Sequence, residues 1–375
     1  PRRALAGAER TSPQGLPPAR GRLVTRTQLE QLRAANALPH TLRYDQLAPY
    51  HVPFDELASS TAVEGELSHW IARRGRVALI GASGSGKSSA LAWALAHNAP
   101  DNLVALRIPI ALADDETVET TEGFARHVIR RVIAAARLGD AEAGELRARA
   151  ADSVRHRTGE RRRSRRLGLH AGVLSGELAR EISQSGAEFD EQIRAGEVVE
   201  GLQRLVEVFR ARDAAPLLVL DDTDTWIARP HDEHPARLAE AFFARNVRML
   251  AGEIDCGFVV AVHTTYLDLP SYQEVASRLE RIRVPQLGRP DTDLARILIR
   301  RLEVAELDIV LDDIFEPEAL AALAGFYEDV PDVRRTIAIA ATAIRLALDE
   351  PEFDRVTPAA VRAAAAESVD EGAVG

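Results

Sequence analysis

The stretch Arg76–Leu95, RVALIGASGSGKSSALAWAL, decides the fold. Val77 to Ile80 is a short apolar run of β type, and Ala90, Leu91, Trp93, Ala94 and Leu95 follow with helical character. Between them, Gly81 to Ser88 reads G-x-x-x-x-G-K-S, a loop pattern that cradles phosphates where a buried strand meets a helix N-terminus. Gly81, Gly84 and Gly86 let the backbone come close to an anion, while free amides and the positive end of the helix face it. On this reading Gly81, Ala82, Ser83, Gly84, Ser85, Gly86, Lys87, Ser88 and Ser89 bind a nucleotide. Lys87 reaches the β- and γ-phosphates, and the Ser88 hydroxyl serves a Mg²⁺ site. The competing reading, a plain Gly-rich turn, does not account for a full eight-position match in this context.

Composition sharpens the case. The chain of 375 residues has 47 lysines and arginines, and Lys87 is its single lysine. Arginine's planar fork does not replace a compact ammonium inside a phosphate cradle. Lysine therefore stands at the one position where the chemistry needs it.

The remaining bulk numbers set bounds. The length predicts two or three units, and 46% apolar residues suffice for sizeable cores. A net charge of -10 excludes a generic polyanion binder. One cysteine, Cys256, excludes an internal disulfide framework and fits a reducing, cytoplasmic compartment. The sequence has no apolar run long enough for a membrane span, and its first residues lack the apolar region of a secretory signal.

In chain order, residues 1 to about 22 are Pro-, Gly- and Arg-rich and read as disordered. A short helix is predicted over Thr27–Asn36, an extended linker over Tyr44–Phe54, and a helix over Ser60–Ala72 capped by Ser59 or Ser60. After the loop unit come a strand over Asn102–Ile110 and a helix over Thr121–Leu138. More than 100 residues separate that strand from the next, Leu217–Leu220, which is more than one crossover helix needs. Residues of about 140–195 read as an inserted helical arm or excursion. Within it, Arg147–Arg166 holds nine arginines against two acids, Asp152 and Glu160. Such segregation is the pattern of a polyanion contact, most simply nucleic acid, or of an arm docking on acids elsewhere.

Helix resumes over Glu197–Ala211. The third strand ends in acids, PLLVLDDTDTW over Pro216–Trp226. Downstream of a phosphate loop, such a strand end is a Walker B pattern. Asp221 would hold Mg²⁺ and Asp222 would orient the attacking water. A helix over Pro235–Ala251 precedes a strand over Cys256–His263. Its tip, His263, Thr264 and Thr265, either reaches the γ-phosphate side or simply ends the strand in turn-friendly residues. A helix over Tyr272–Arg281 and a last strand over Arg281–Leu287 follow. Helices over Asp291–Glu306, Pro317–Phe326, Val333–Leu348 and Pro358–Glu367 then form a separate small domain, with Asp291, Pro317 and the Thr357-Pro358 pair as start signals.

This order of parts resembles an AAA+ P-loop ATPase. It is most similar to the origin-recognition/initiator-loader clade, through Ser271–Leu302 and Glu328–Ala347. The resemblance covers about residues 45–370 outside the insertion. It implies an α/β fold with a parallel sheet flanked by helices, and a small C-terminal helical lid. The core would span 45–289 after an N-terminal segment 1–44, and the lid 290–375. Arg278, in Ser-Arg-Leu, would be the arginine finger completing a neighbour's site. Arg334, or alternatively Arg335, would be the sensor arginine of the lid. Thr264 would be the polar strand-tip residue, at a place where Asn is common. The acid pair is Asp-Asp where the clade usually has Asp-Glu, as in STAND and KAP-type ATPases. No winged-helix module is expected after the lid.

The implied activity is ATP binding and hydrolysis with Mg²⁺ by an oligomeric switch or assembly factor, possibly working on DNA. ATP is favoured over GTP because a lone lysine leaves none for a GTPase-type base reader. Two alternatives stand beside it: a STAND- or KAP-like regulatory ATPase with slow turnover, and a non-catalytic ATP-dependent DNA-binding scaffold.

Overall fold

The structure, a computed structural model, describes residues 26–110, 113, 115–136, 176–186, 189, 197–223, 233–350 and 354–373. Five strands form one parallel sheet: β1 Arg76–Ile80, β2 Leu103–Pro109, β3 Ala215–Asp221, β4 Gly257–Val262 and β5 Glu280–Arg283. Their order is β2-β3-β4-β1-β5. Parallel neighbours need crossover connections, and the helices in those crossovers cover both faces. β3 and β4 are accordingly buried along their whole length. Successive residues point to opposite faces. Val77, Leu79, Leu217, Val219 and Val259 join one apolar cluster, and Ala78, Ile80, Leu218, Leu220 and Val260 join the other. The chain leaves β1 and crosses to β2 at the far edge, so the carboxyl tips of β3 and β4 lie open beside the loop after β1. Such a crevice is where open α/β sheets take ligands.

The first face is covered by helices Arg26–Ala34, Val63–Ala72 and Lys87–Asn98, together with the C-terminal helices. Those are Pro290–Val304, Leu311–Ile314, Pro317–Asp329, Val333–Asp349 and Pro358–Ala373. The C-terminal segment shares its apolar cluster with the sheet without a break: Leu294, Leu323, Ile337 and Val361 belong with Val77 and Leu79. The second face is covered by helices 121–136, Gly176–Gln184, Val198–Ala211 and Pro270–Ala276, and by the helical run from Glu233 to Gly252. That run contains a π-helical stretch, Phe242–Val247. Among the described residues, no helix is long and apolar enough to cross a membrane.

Several local expectations give way to packing. Tyr44–Phe54 is not extended: Tyr44–Gln46 is a 3₁₀ turn and Leu47–Tyr50 a short helix, because Tyr44 and Ala48 are drawn into the core. The next helix starts at Val63 rather than Ser60, which takes a left-handed φ of 45°, and its N-cap Ala62 offers no side-chain bond. The helix expected to run to Arg281 stops at Ala276, and β5 stops at Arg283. The helix at Pro290 is secured by Asp293 rather than Asp291. Asp293 accepts the Arg289 amide at 3.0 Å and the Ala58 amide at 2.8 Å. Part of the expected excursion is packed: Leu178, Ala179 and Ile182 are buried, and Glu181 accepts Arg212 Nε at 2.7 Å. Arg147–Arg166 and residues 1–25 lie outside the described residues.

Candidate nucleotide-binding site

The loop begins where β1 ends, with the Gly81 amide donating to the Val262 carbonyl of β4 at 3.0 Å. Gly84 and Gly86 have φ of 66° and 95°, a region that side chains disfavour. Gly86 caps helix Lys87–Asn98, whose first closing bond is Ala90 N–H to Gly86 C=O at 2.9 Å. The Lys87, Ser88 and Ser89 amides therefore have no carbonyl of their own helix to bond. Lys87 is buried, and its ammonium donates to the carbonyls of Gly81 at 3.0 Å and Ala82 at 2.8 Å.

The tip of β3 meets this loop. The Ser88 hydroxyl donates to Asp221 Oδ1 at 2.9 Å, and Asp221 is 4% exposed. Asp222 follows in a left-handed turn with φ of 61°, a conformation that aspartate tolerates better than most residues. Thr223 then pins the chain: its buried hydroxyl donates to the Ala261 carbonyl at 2.7 Å, and Tyr266 donates its O–H to the Thr223 carbonyl at 3.1 Å.

Two residues that sequence reasoning missed complete this corner. Arg107, in the middle of β2, donates to Asp222 Oδ2 at 2.6 Å and approaches Asp221 Oδ2 at 3.5 Å. Its guanidinium lies 4.8 Å from the centre of the Tyr44 ring. Burial pushes the Tyr44 phenol well above its ordinary range, and the Asp221 charge adds to this while Arg107 opposes it. The available signal was a lone charge in an apolar run, LVALRIPI.

Ser88 and Asp221 supply the hard oxygen ligands that Mg²⁺ favours. Among the described residues no group of three or more His, Cys, Asp or Glu could hold a metal alone. The donor set therefore fits a cation that completes its shell with phosphate oxygens and water.

The C-terminal helices reach the loop as well. Asp332 caps helix Val333–Asp349 by accepting the Arg335 amide at 2.9 Å, and its carboxylate fills the space where Gly84 would carry a side chain. The Val333 amide donates to the Gly84 carbonyl at 3.2 Å. Arg334 is thereby set in the helical turn next to the loop, where it is exposed, with Arg335 beside it. Thr264 is exposed just beyond the tip of β4, where His263 begins a 3₁₀ turn and accepts the Thr265 amide. Arg278 is not brought to the loop of its own chain. It is exposed at the opposite, amino edge of the sheet, where it lines a cavity of about 290 Å³ with Arg74, Arg76 and Arg210.

No protein-family model matches this chain, and no curated protein matches it. Among solved structures, the Aeropyrum pernix ORC2 protein in its ADPNP-ADP complexes is similar at 16% identity and a TM-score of 0.46. That match covers 81% of this chain and 66% of that one. The ADP form of the same protein is similar at 16% identity and a TM-score of 0.44, covering 81% and 67%. The likeness is one of outline, and the chemistry of the site rests on the residues just described.

Proposed function

We propose that this chain is an AAA+-type ATPase that binds ATP with Mg²⁺ in the loop Gly81–Ser89 and hydrolyses it as a nucleotide-dependent switch or assembly factor. The observation that carries this is the bond of 2.9 Å joining Ser88 of the loop to Asp221 of β3, beside the buried Lys87. The amides at the start of the helix would receive the phosphates. Lys87 would exchange its loop carbonyls for β- and γ-phosphate oxygens. Ser88 and Asp221 would hold Mg²⁺, which offsets phosphate charge when bound. Asp222 is the group for orienting the attacking water. Arg334 would act within the chain. Arg278, at the far edge of the sheet, would serve a second copy, so the active form is an oligomer. Contact between Arg147–Arg166 and nucleic acid belongs to the same proposal.

One observation favours the slow, regulatory alternative: Arg107 already occupies Asp222 at 2.6 Å. The two readings differ in rate. MgATP turnover and particle size are measured for the parent and for Lys87→Ala and Lys87→Arg. Both variants are expected to lose nucleotide binding by roughly tenfold or more, since neither places a compact ammonium in the cradle. Parental ATP affinity in both variants would remove the loop from the site. Turnover far below the ordinary enzymatic range of about 1–10³ per second would select the regulatory reading.

A further inference from the structure

His51 belongs to the strap 51–54, which follows the short helix Leu47–Tyr50 and reaches the start of helix Lys87–Asn98 through His51 and Phe54. Its Nε2 lies 2.6 Å from Glu64 Oε1, and its Nδ1 lies 3.0 Å from the Ser89 hydroxyl oxygen. His51 is 6% exposed and Glu64 is 4% exposed. Glu64 also accepts the Phe54 amide on both oxygens, at 3.2 and 3.3 Å. The Phe54 ring meets the imidazole edge-on at 5.8 Å and stands beside Gly86. The Trp93 ring lies tilted to the imidazole at 6.2 Å. A carboxylate is thus buried, at a desolvation cost, where it holds both the histidine and the strap against the loop.

Two proton arrangements satisfy these contacts. A neutral ring donates from Nε2 to ionised Glu64 and accepts at Nδ1, so the Ser89 hydroxyl spends its hydrogen on His51. A protonated ring donates from both nitrogens, so Ser89 Oγ accepts from Nδ1 and its own hydrogen is released. Ser89 is the third residue of the helix, in the first turn, where a helix N-terminus favours an anion. A phosphate chain there makes the second arrangement the better one. The imidazolium then answers Glu64 on one side and the added negative charge on the other, and Ser89 can donate to a phosphate oxygen.

We propose that His51, fixed by Glu64, is a positioning residue that turns the Ser89 hydroxyl toward the phosphate chain of the bound nucleotide and takes up a proton as the nucleotide binds. This rests on the nucleotide reading of the loop. The other charged groups on elements packed against the strap have contacts of their own. Lys87 is held by the Gly81 and Ala82 carbonyls. Arg300 donates to the Pro49 carbonyl at 2.9 Å, and Arg301 lies over the Tyr50 ring. Asp45, in the turn before the strap, is paired with Arg43 at 3.2 Å. Of all these charges, Glu64 is the one hydrogen-bonded to the ring.

Calorimetric titration with MgATP, in two buffers of different ionisation enthalpy at one pH, tests the idea on the parent, His51→Gln, Ser89→Ala and the double variant. Glutamine can donate to Glu64 and accept from Ser89, so it keeps the strap anchored while removing the titrating ring. The parent is expected to take up protons in excess of His51→Gln. Each single variant should lose affinity by about tenfold, the scale of one hydrogen bond to a charged group. The double variant should be no weaker than either single one, because both act through one contact. Should His51→Gln fail to fold, Ser89→Ala carries the test, with proton uptake below the parental value. Equal proton uptake in parent and variants, or losses that add, would overturn the proposal while leaving nucleotide binding intact. A parent that binds no MgATP would overturn both readings together.

Discussion

At the scale of single residues, the two acids at the end of β3 are already in different states. Asp221 is buried and bonded to Ser88, whereas the Asp222 side chain is 39% exposed and held by Arg107. Asp222→Asn keeps the shape and the Ser88–Asp221 bond but removes the charge that would orient water. MgATP affinity should stay within about twofold, while hydrolysis falls by about 10²-fold or more, as for loss of a general base. Single-turnover phosphate release measures this, and parental release would pass the role to another group. Arg107→Gln is its counterpart. If the ion pair restrains Asp222, turnover rises in the variant; unchanged turnover makes the pair a support only. The lone lysine made Lys87 legible from composition, whereas for Arg107 the sequence showed a charge in an apolar run but not its partner. Its partner is set by sheet register, which places Arg107 opposite Val219, two residues before Asp221 on the neighbouring strand.

Elements were legible where a strong period or apolar run coincided with burial, and less so at their ends. The first four strands were readable as apolar runs because a parallel sheet covered on both faces demands them, whereas the edge strand β5, ERIR, buries only Ile282. Their limits were set by pairing: β5 ends where its ladder with β1 ends, at Ile80 opposite Arg283. Cys256, just before β4, shows what position in an element does to chemistry. Burial pushes its thiol from 9.0 up to about 12, against the pull of the Arg76 and Arg210 charges. The folded chain thus keeps a proton that the unfolded chain releases. The stability this contributes is complete below about pH 9 and is lost as pH rises toward 12. Because the thiolate is the nucleophile, iodoacetamide at mildly alkaline pH should modify the folded protein far more slowly than the unfolded one. Equal alkylation rates would show that the segment before β4 opens readily.

At the scale of the whole molecule, the C-terminal helices rest an acid on the loop assigned to phosphates. Asp332 lies against Gly84 while capping its own helix. Asn caps as well as Asp, so Asp332→Asn keeps the helix start and removes only the charge. MgATP affinity should then rise by roughly three- to tenfold, the scale of one unit charge near a surface, and the gain should shrink with salt. Unchanged affinity at low salt would mean that the carboxylate swings clear before the nucleotide arrives. By itself the sequence determined the strand–loop–helix unit, the acidic strand end and the helical C-terminal segment, because each is written in local spacing and composition, while the parallel α/β class followed from the resemblance in the order of parts. Only the tertiary structure decided that Arg107 faces Asp222, that Asp332 meets Gly84, and that Glu64 holds His51 against Ser89. Those contacts join residues far apart in the chain, and their partners are chosen by strand register and by the way helices pack across one continuous apolar cluster.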